Sequence, residues 1–73
     1  MAKKMARDRV YKKIELVGVS SQSFEAAIES AVRRAAETLS DLRWFEVKEL
    51  RGALQGERIL EYQAVICVSF EVK

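Results

Sequence analysis

The C-terminal run Arg58-Ile59-Leu60-Glu61-Tyr62-Gln63-Ala64-Val65-Ile66-Cys67-Val68-Ser69-Phe70-Glu71-Val72-Lys73 sets the terms for the rest of the chain. Leu60, Tyr62, Ala64, Ile66, Val68, Phe70 and Val72 recur at every second position, the period of a β-strand whose successive side chains point to opposite faces. That apolar face needs a cover. The opposite face carries Glu61, Gln63, Val65, Cys67, Ser69 and Glu71, too mixed for open solvent and too polar for a core. Such a surface belongs to a subunit interface or to the wall of a ligand site.

The cover lies upstream. Phe24, Ile28, Ala31, Ala35 and Leu39 recur at spacings of three and four, which predicts a helix over residues 22–39 with one apolar stripe. Ser20 or Ser21 supplies the hydroxyl that caps its first free N–H groups. Ala26, Ala27, Ala31, Ala35 and Ala36 are small enough for the helix axis to lie close to a sheet, and Glu29 and Arg33 have the spacing of a surface ion pair. Before the helix, Val10 to Val17 alternates loosely, with Ile14 and Leu16 facing the core and Gly18 ending the strand. After it, residues 43–54 read as a strand with Phe45 and Val47 on one face and Trp44, Glu46 and Lys48 on the other. Gly56 then provides the turn into the last strand. The reading is an α+β fold, strand–helix–strand–strand, a three-stranded antiparallel sheet with one helix packed on it. Residues 1–9 form a basic arm and residues 10–73 the domain.

Lengths predict association. A helix of about 18 residues covers roughly 27 Å, whereas a strand of about 15 residues extends roughly 50 Å. The last strand overhangs its helix, and the apolar groups and edge left uncovered call for neighbouring copies. A chain of 73 residues also has a marginal core of its own, since a domain of this size buries only about 60% of its unfolded surface.

Composition excludes several chemistries. With no histidine the commonest zinc ligand and general base is missing, and the single cysteine, Cys67, cannot form an intramolecular disulfide. No apolar run is long enough to span a bilayer and the basic start is followed by no apolar segment, which predicts a cytoplasmic protein. Thirteen basic residues are interleaved with eleven acidic ones, for a net charge of +2, too little to indicate a nucleic-acid partner. Only the arm, with Lys3, Lys4, Arg7 and Arg9, is one-sided.

Two residues on the mixed outer face have ligand chemistry. Trp44 is the only tryptophan and is either an interface filler or a stacking platform for a planar aromatic ring. Gln63 carries an amide that both donates and accepts, as needed to read the edge of a heterocycle. A turn centred near Gln55 and Gly56 sets Gln63 opposite Lys48, roughly 13 Å along the strand from Trp44. A single small ligand hardly spans that within one chain; either a long tricyclic ring bridges the two residues or a symmetry mate across a two-fold axis completes the site, and the second option fits an oligomer. Glu46, Glu49, Glu57, Glu61 and Glu71 are spaced as solvent-facing strand positions and not as a general-acid pair, and Cys67 reads as a small buried or interfacial filler.

The residues Val10-Tyr11-Lys12-Lys13-Ile14-Glu15-Leu16-Val17-Gly18, Ser20, Phe24-Glu25-Ala26-Ala27, Arg34-Ala35, Thr38-Leu39, Trp44-Phe45-Glu46-Val47, Arg51-Gly52 and Tyr62-Gln63 together resemble the dodecin family over residues 10–72. The resemblance implies a hollow homododecamer that binds pairs of flavins, FMN or riboflavin, on two-fold axes. In it each isoalloxazine stacks on Trp44 and is hydrogen-bonded by Gln63, with Glu46 and Arg51 completing the cofactor site. It implies a non-enzymatic role in flavin storage, buffering or photoprotection. A related branch lacks the tryptophan and is associated with calcium, so Trp44 places this chain with the flavin binders. Val19 and Ser69 depart from the threonine and glycine common in the family. Glu71 stands where FMN binders carry an arginine suited to phosphate, with Arg51 or Lys73 as the compensating cation. Two other classes remain beside this one: a structural assembly whose outer face makes only subunit contacts, and nucleic-acid binding through the arm.

Overall fold

The structure, a computed structural model, describes residues 8–73. Most of the basic arm, including Lys3, Lys4 and Arg7, lies outside the described residues. The expected order is present: strand β1 (Val10–Ser20), helix α1 (Phe24–Thr38), strand β2 (Leu42–Gln55) and strand β3 (Arg58–Val72). Both pairings are antiparallel and the sheet order is β1-β3-β2, so the long alternating strand is the central one.

Boundaries differ from the sequence reading in two instructive places. Ser23, not Ser20 or Ser21, caps the helix: its Oγ accepts from the Ala26 N–H at 3.0 Å. Ser20 Oγ instead accepts from the Gln22 N–H at 2.9 Å, holding the turn before the helix, so Gln22 is not helical. At the other end Leu39 is the C-cap, with extended backbone. The predicted Glu29–Arg33 pair is not formed; Arg34 pairs with Glu37 instead, at 3.5 Å.

Gly18 does not end β1, which runs two residues further. Its role is close approach. A Cβ added there would lie 2.0 Å from the Ala27 carbonyl oxygen and 3.0 Å from the Ala31 Cβ. The bare backbone of Gly18 and the alanine stripe Ala27, Ala31 and Ala35 bring α1 down onto Ala64, Ile66 and Val68 of β3, and these six residues are the buried core. Ile14, Leu16, Ile28, Val32, Leu39 and Leu42 pack around them.

Helix α1 lies over β1 and β3 and meets β2 only along its edge. On the same sheet face Phe45, Val47 and Leu50 of β2 therefore stay about half exposed, and Leu54 and Ile59 near the hairpin tip are more exposed still. The subunit is elongated, 66 × 21 × 14 Å, because the β2–β3 hairpin runs on past its helix. Among the described residues no helix is long and apolar enough to cross a membrane.

Three register shifts give β2 its shape, between Leu42 and Trp44, between Val47 and Glu49, and between Ala53 and Leu54. A bulge makes two residues of one strand oppose one of the other. The bulge at Lys48 therefore flips the alternation of β2. Trp44 and Glu46 lie on the face away from the helix, opposite Ser69 and Cys67; past the bulge Glu49 and Arg51 occupy that face, opposite Val65 and Gln63. The hairpin closes with Gln55 paired to Arg58, and Gly56, the first loop residue, has φ +63°, as a type II′ turn requires at that position.

Candidate functional site

The helix-free face of the sheet is read across its three strands. Ser69 lies between Lys13 and Trp44, Cys67 between Glu15 and Glu46, Val65 between Val17 and Glu49, and Gln63 between Val19 and Arg51. Val65, Cys67 and Ser69 are buried beneath these flanking side chains even in the single subunit. The polar groups gather at two stations along this floor.

The first station is built on Trp44. Its indole Nε1 donates to Glu46 Oε2 at 3.1 Å, two residues along the same face of β2. Tyr11, reaching across from β1, lies against the indole with ring centroids 4.8 Å apart and planes tilted by 59°. Glu46 Oε1 in turn accepts from Lys13 Nζ at 2.8 Å. The indole is thus tethered at its nitrogen and braced by a tyrosine, while Trp44 as a residue stays 44% exposed.

Both charges are tuned by this contact. The Lys13 ammonium, first, and the indole N–H, second, hold the Glu46 carboxyl below its ordinary 4.5, and the Glu46 hydrogen bond holds Lys13 above its ordinary 10.5. The Glu46 contribution is present above pH 4.5 and is lost as pH falls through its lowered pKa; the Lys13 contribution is present below 10.5 and is lost as pH rises through its raised one. The tether is intact across the neutral range. On acidification the indole N–H resonance is expected to shift with a midpoint below 4.5, and Glu46→Gln removes that transition. A midpoint at or above 4.5 contradicts the tether.

The second station is Gln63. Its Oε1 accepts from Arg51 Nε at 2.8 Å, and its Nε2 donates to Glu61 Oε2 at 2.8 Å. Arg51 also donates to Glu49 Oε1, at 3.2 Å. Trp44 and Gln63 share a face, as the sequence predicted, but not at the predicted separation. Gln63 pairs with Arg51 and not with Lys48, and six positions of β3, about 20 Å, separate it from Ser69, the partner of Trp44. The turn centres one residue later than expected, and Leu60, an extra residue in β3 at the register shift between Ala53 and Leu54, moves the pairing on by one more.

Glu46 and Arg51 thus each support one of the two ligand-type residues. Tyr11, Lys13 and Glu61 were not legible as site residues. Tyr11 and Lys13 belong to a strand distant in sequence, and only the β1-β3-β2 order carries them to Trp44. Four of the five carboxylates weighed as general acids are engaged with cations or donors: Glu71 with Arg43 at 3.0 Å, Glu49 with Arg51, Glu61 with Gln63 and Glu46 with Lys13. Among the described residues no group of three or more His, Cys, Asp or Glu side chains is arranged to hold a metal ion.

A small strand–helix–strand–strand domain with a tethered tryptophan on an open sheet face fits a small-ligand-binding protein. The family model described as Dodecin matches residues 10–73. A dodecin from Thermus thermophilus is 51% identical over 65 residues, 89% of this chain and 94% of that one. A crystal structure from the same organism superposes with a TM-score of 0.86 at 50% identity, covering 90% of this chain and 97% of that one. The dodecin of Streptomyces davaonensis gives a TM-score of 0.86 at 34% identity over 92% and 98% of the two chains. The calcium dodecin of Mycobacterium tuberculosis is 34% identical over 64 residues, 88% and 90% of the respective chains. The chain belongs to the dodecin family.

Proposed function

We propose that this protein binds flavin without turnover, as a homododecamer in which pairs of isoalloxazine rings stack on Trp44 at two-fold axes, and that it stores and buffers flavin in the cytoplasm and shields it from light. The observation that carries the reading is Trp44 itself: a half-exposed indole on the helix-free face, held by Glu46 and Tyr11, is a ready platform for a planar ring. Gln63 supplies an amide for the ring's edge but sits about 20 Å along the sheet, so one ring touches both only if a second subunit brings its own copy across a two-fold axis. Phe45, Val47 and Leu50 lie on the opposite, helix-bearing face and would be covered by further subunits of the assembly. An electron-rich indole stacked on the ring also offers an excited flavin a route to decay without chemistry.

Ring contacts outweigh phosphate contacts in this reading. Arg43 is paired with Glu71, Lys73 with Asp41 at 3.4 Å, and Arg51 with Gln63 and Glu49, so the cations that would meet a phosphate are already engaged. FMN and riboflavin are expected to bind alike. Titration of either flavin with the assembled protein should strongly quench flavin fluorescence, and light scattering should report one dodecameric species. Unchanged emission with an intact assembly would overturn the flavin reading and leave a purely structural assembly in its place.

A further inference from the structure

We propose that Glu61 and Arg51 are positioning residues that hold the Gln63 carboxamide in one of its two flip states, giving it a fixed donor and a fixed acceptor with which to read a ligand. Glu49 and Arg51 on β2 and Gln63 and Glu61 on β3 form one hydrogen-bonded line: carboxylate, guanidinium, amide, carboxylate. The guanidinium has only donors and the carboxylate only acceptors. With Oε1 toward Arg51 and Nε2 toward Glu61, both contacts are charge-assisted hydrogen bonds of 2.8 Å. Rotating the amide by half a turn sets N–H against N–H on one side and oxygen against oxygen on the other. Neighbours of opposite sign therefore select the same orientation twice over.

After these two bonds Gln63 retains one Nε2 hydrogen and one Oε1 lone pair. They match a heterocycle edge that offers an acceptor beside a donor, as the carbonyl and ring N–H of a flavin's pyrimidine do. This ligand half rests on the flavin reading above; the orientation half rests on the protein alone. Neither Glu61 nor Arg51 has to touch the ring. Their effect is to prevent Gln63 from turning away from it.

The experiment compares riboflavin with N3-methylriboflavin, whose blocked nitrogen removes the donor, on wild type, Glu61→Leu and Glu61→Gln, with assembly checked by light scattering. Wild type should prefer riboflavin by about tenfold, as expected for a lost hydrogen bond that leaves a buried partner unmet. Glu61→Leu should weaken riboflavin by about tenfold and the methylated ring little, so the preference collapses; Glu61→Gln, which keeps an acceptor oxygen, restores most of it. A purely structural role would weaken both ligands alike, and that result, or an unchanged preference, overturns the proposal. In ligand-free protein labelled with 15N-glutamine, the Gln63 side-chain amide, assigned by its loss in Gln63→Ala, should be as ordered as the backbone in wild type and mobile in Glu61→Leu. A mobile Gln63 in wild type overturns the orientation whether or not flavin binds. An ordered Gln63 in a protein that ignores riboflavin overturns the flavin reading and the ligand half with it.

Discussion

Trp44→Ala is expected to weaken flavin binding by about 5- to 150-fold, the loss of about 1–3 kcal/mol that removal of an aromatic stacking partner produces. The fold should survive, because Trp44 is 44% exposed and its ring packs on Tyr11 rather than on the core. Trp44→Phe keeps a smaller ring but loses the N–H bonded to Glu46, and should fall between wild type and alanine. Fluorescence titration with thermal unfolding as the control separates these outcomes. Alanine binding as tightly as tryptophan would sink the stacking model.

Gly18→Ala is the mutation with the largest expected effect on stability. Its new Cβ would meet the Ala27 carbonyl oxygen at 2.0 Å and the Ala27 carbonyl carbon at 3.0 Å. These are backbone atoms of a fully buried helical residue, so no side-chain rotation relieves the contact. The helix must lift from β1, opening the packing of Ala27, Ala31 and Ala35 on Ala64, Ile66 and Val68. Overpacking of a core costs about 1–3 kcal/mol, and a backbone obstacle puts this case at the upper end. A domain of this size loses about 4–8 °C of melting temperature per kcal/mol. Gly52→Ala, which meets only the Glu61 carbonyl oxygen at 3.1 Å, should be much milder. Equal melting temperatures for the two variants would show that the close approach at Gly18 is not what seats the helix.

Both predictions draw on features of differing legibility. The tryptophan and its face were readable because alternation along a strand is local: Trp44 and Glu46 stand out from Phe45 and Val47 within four residues. The glycine was readable as a break and was in fact a contact. Nothing between Val17 and Val19 distinguishes a turn from a strand position pressed against a helix, since that depends on Ala27, nine residues away. Ser20 or Ser21 was expected as the cap and Ser23 takes that place, for a related reason: each serine has a free amide within reach and only the helix axis selects among them.

The amino-acid sequence by itself determined the element order, the apolar face of β3, the alanine stripe that meets it, and the two residues, Trp44 and Gln63, with chemistry for a planar ligand. These follow from periodicity and side-chain type, which act over a few residues. The tertiary structure alone decided the strand order, the Lys48 bulge that turns Arg51 onto the face of Trp44, and the roughly 20 Å between that tryptophan and Gln63. It alone placed Tyr11 and Lys13 beside Trp44 and enclosed Gln63 between Arg51 and Glu61. The reason is physical: register and strand order are set by hairpin closure at Gly56 and by the seating of one helix over β1 and β3, energies shared among residues far apart in the chain.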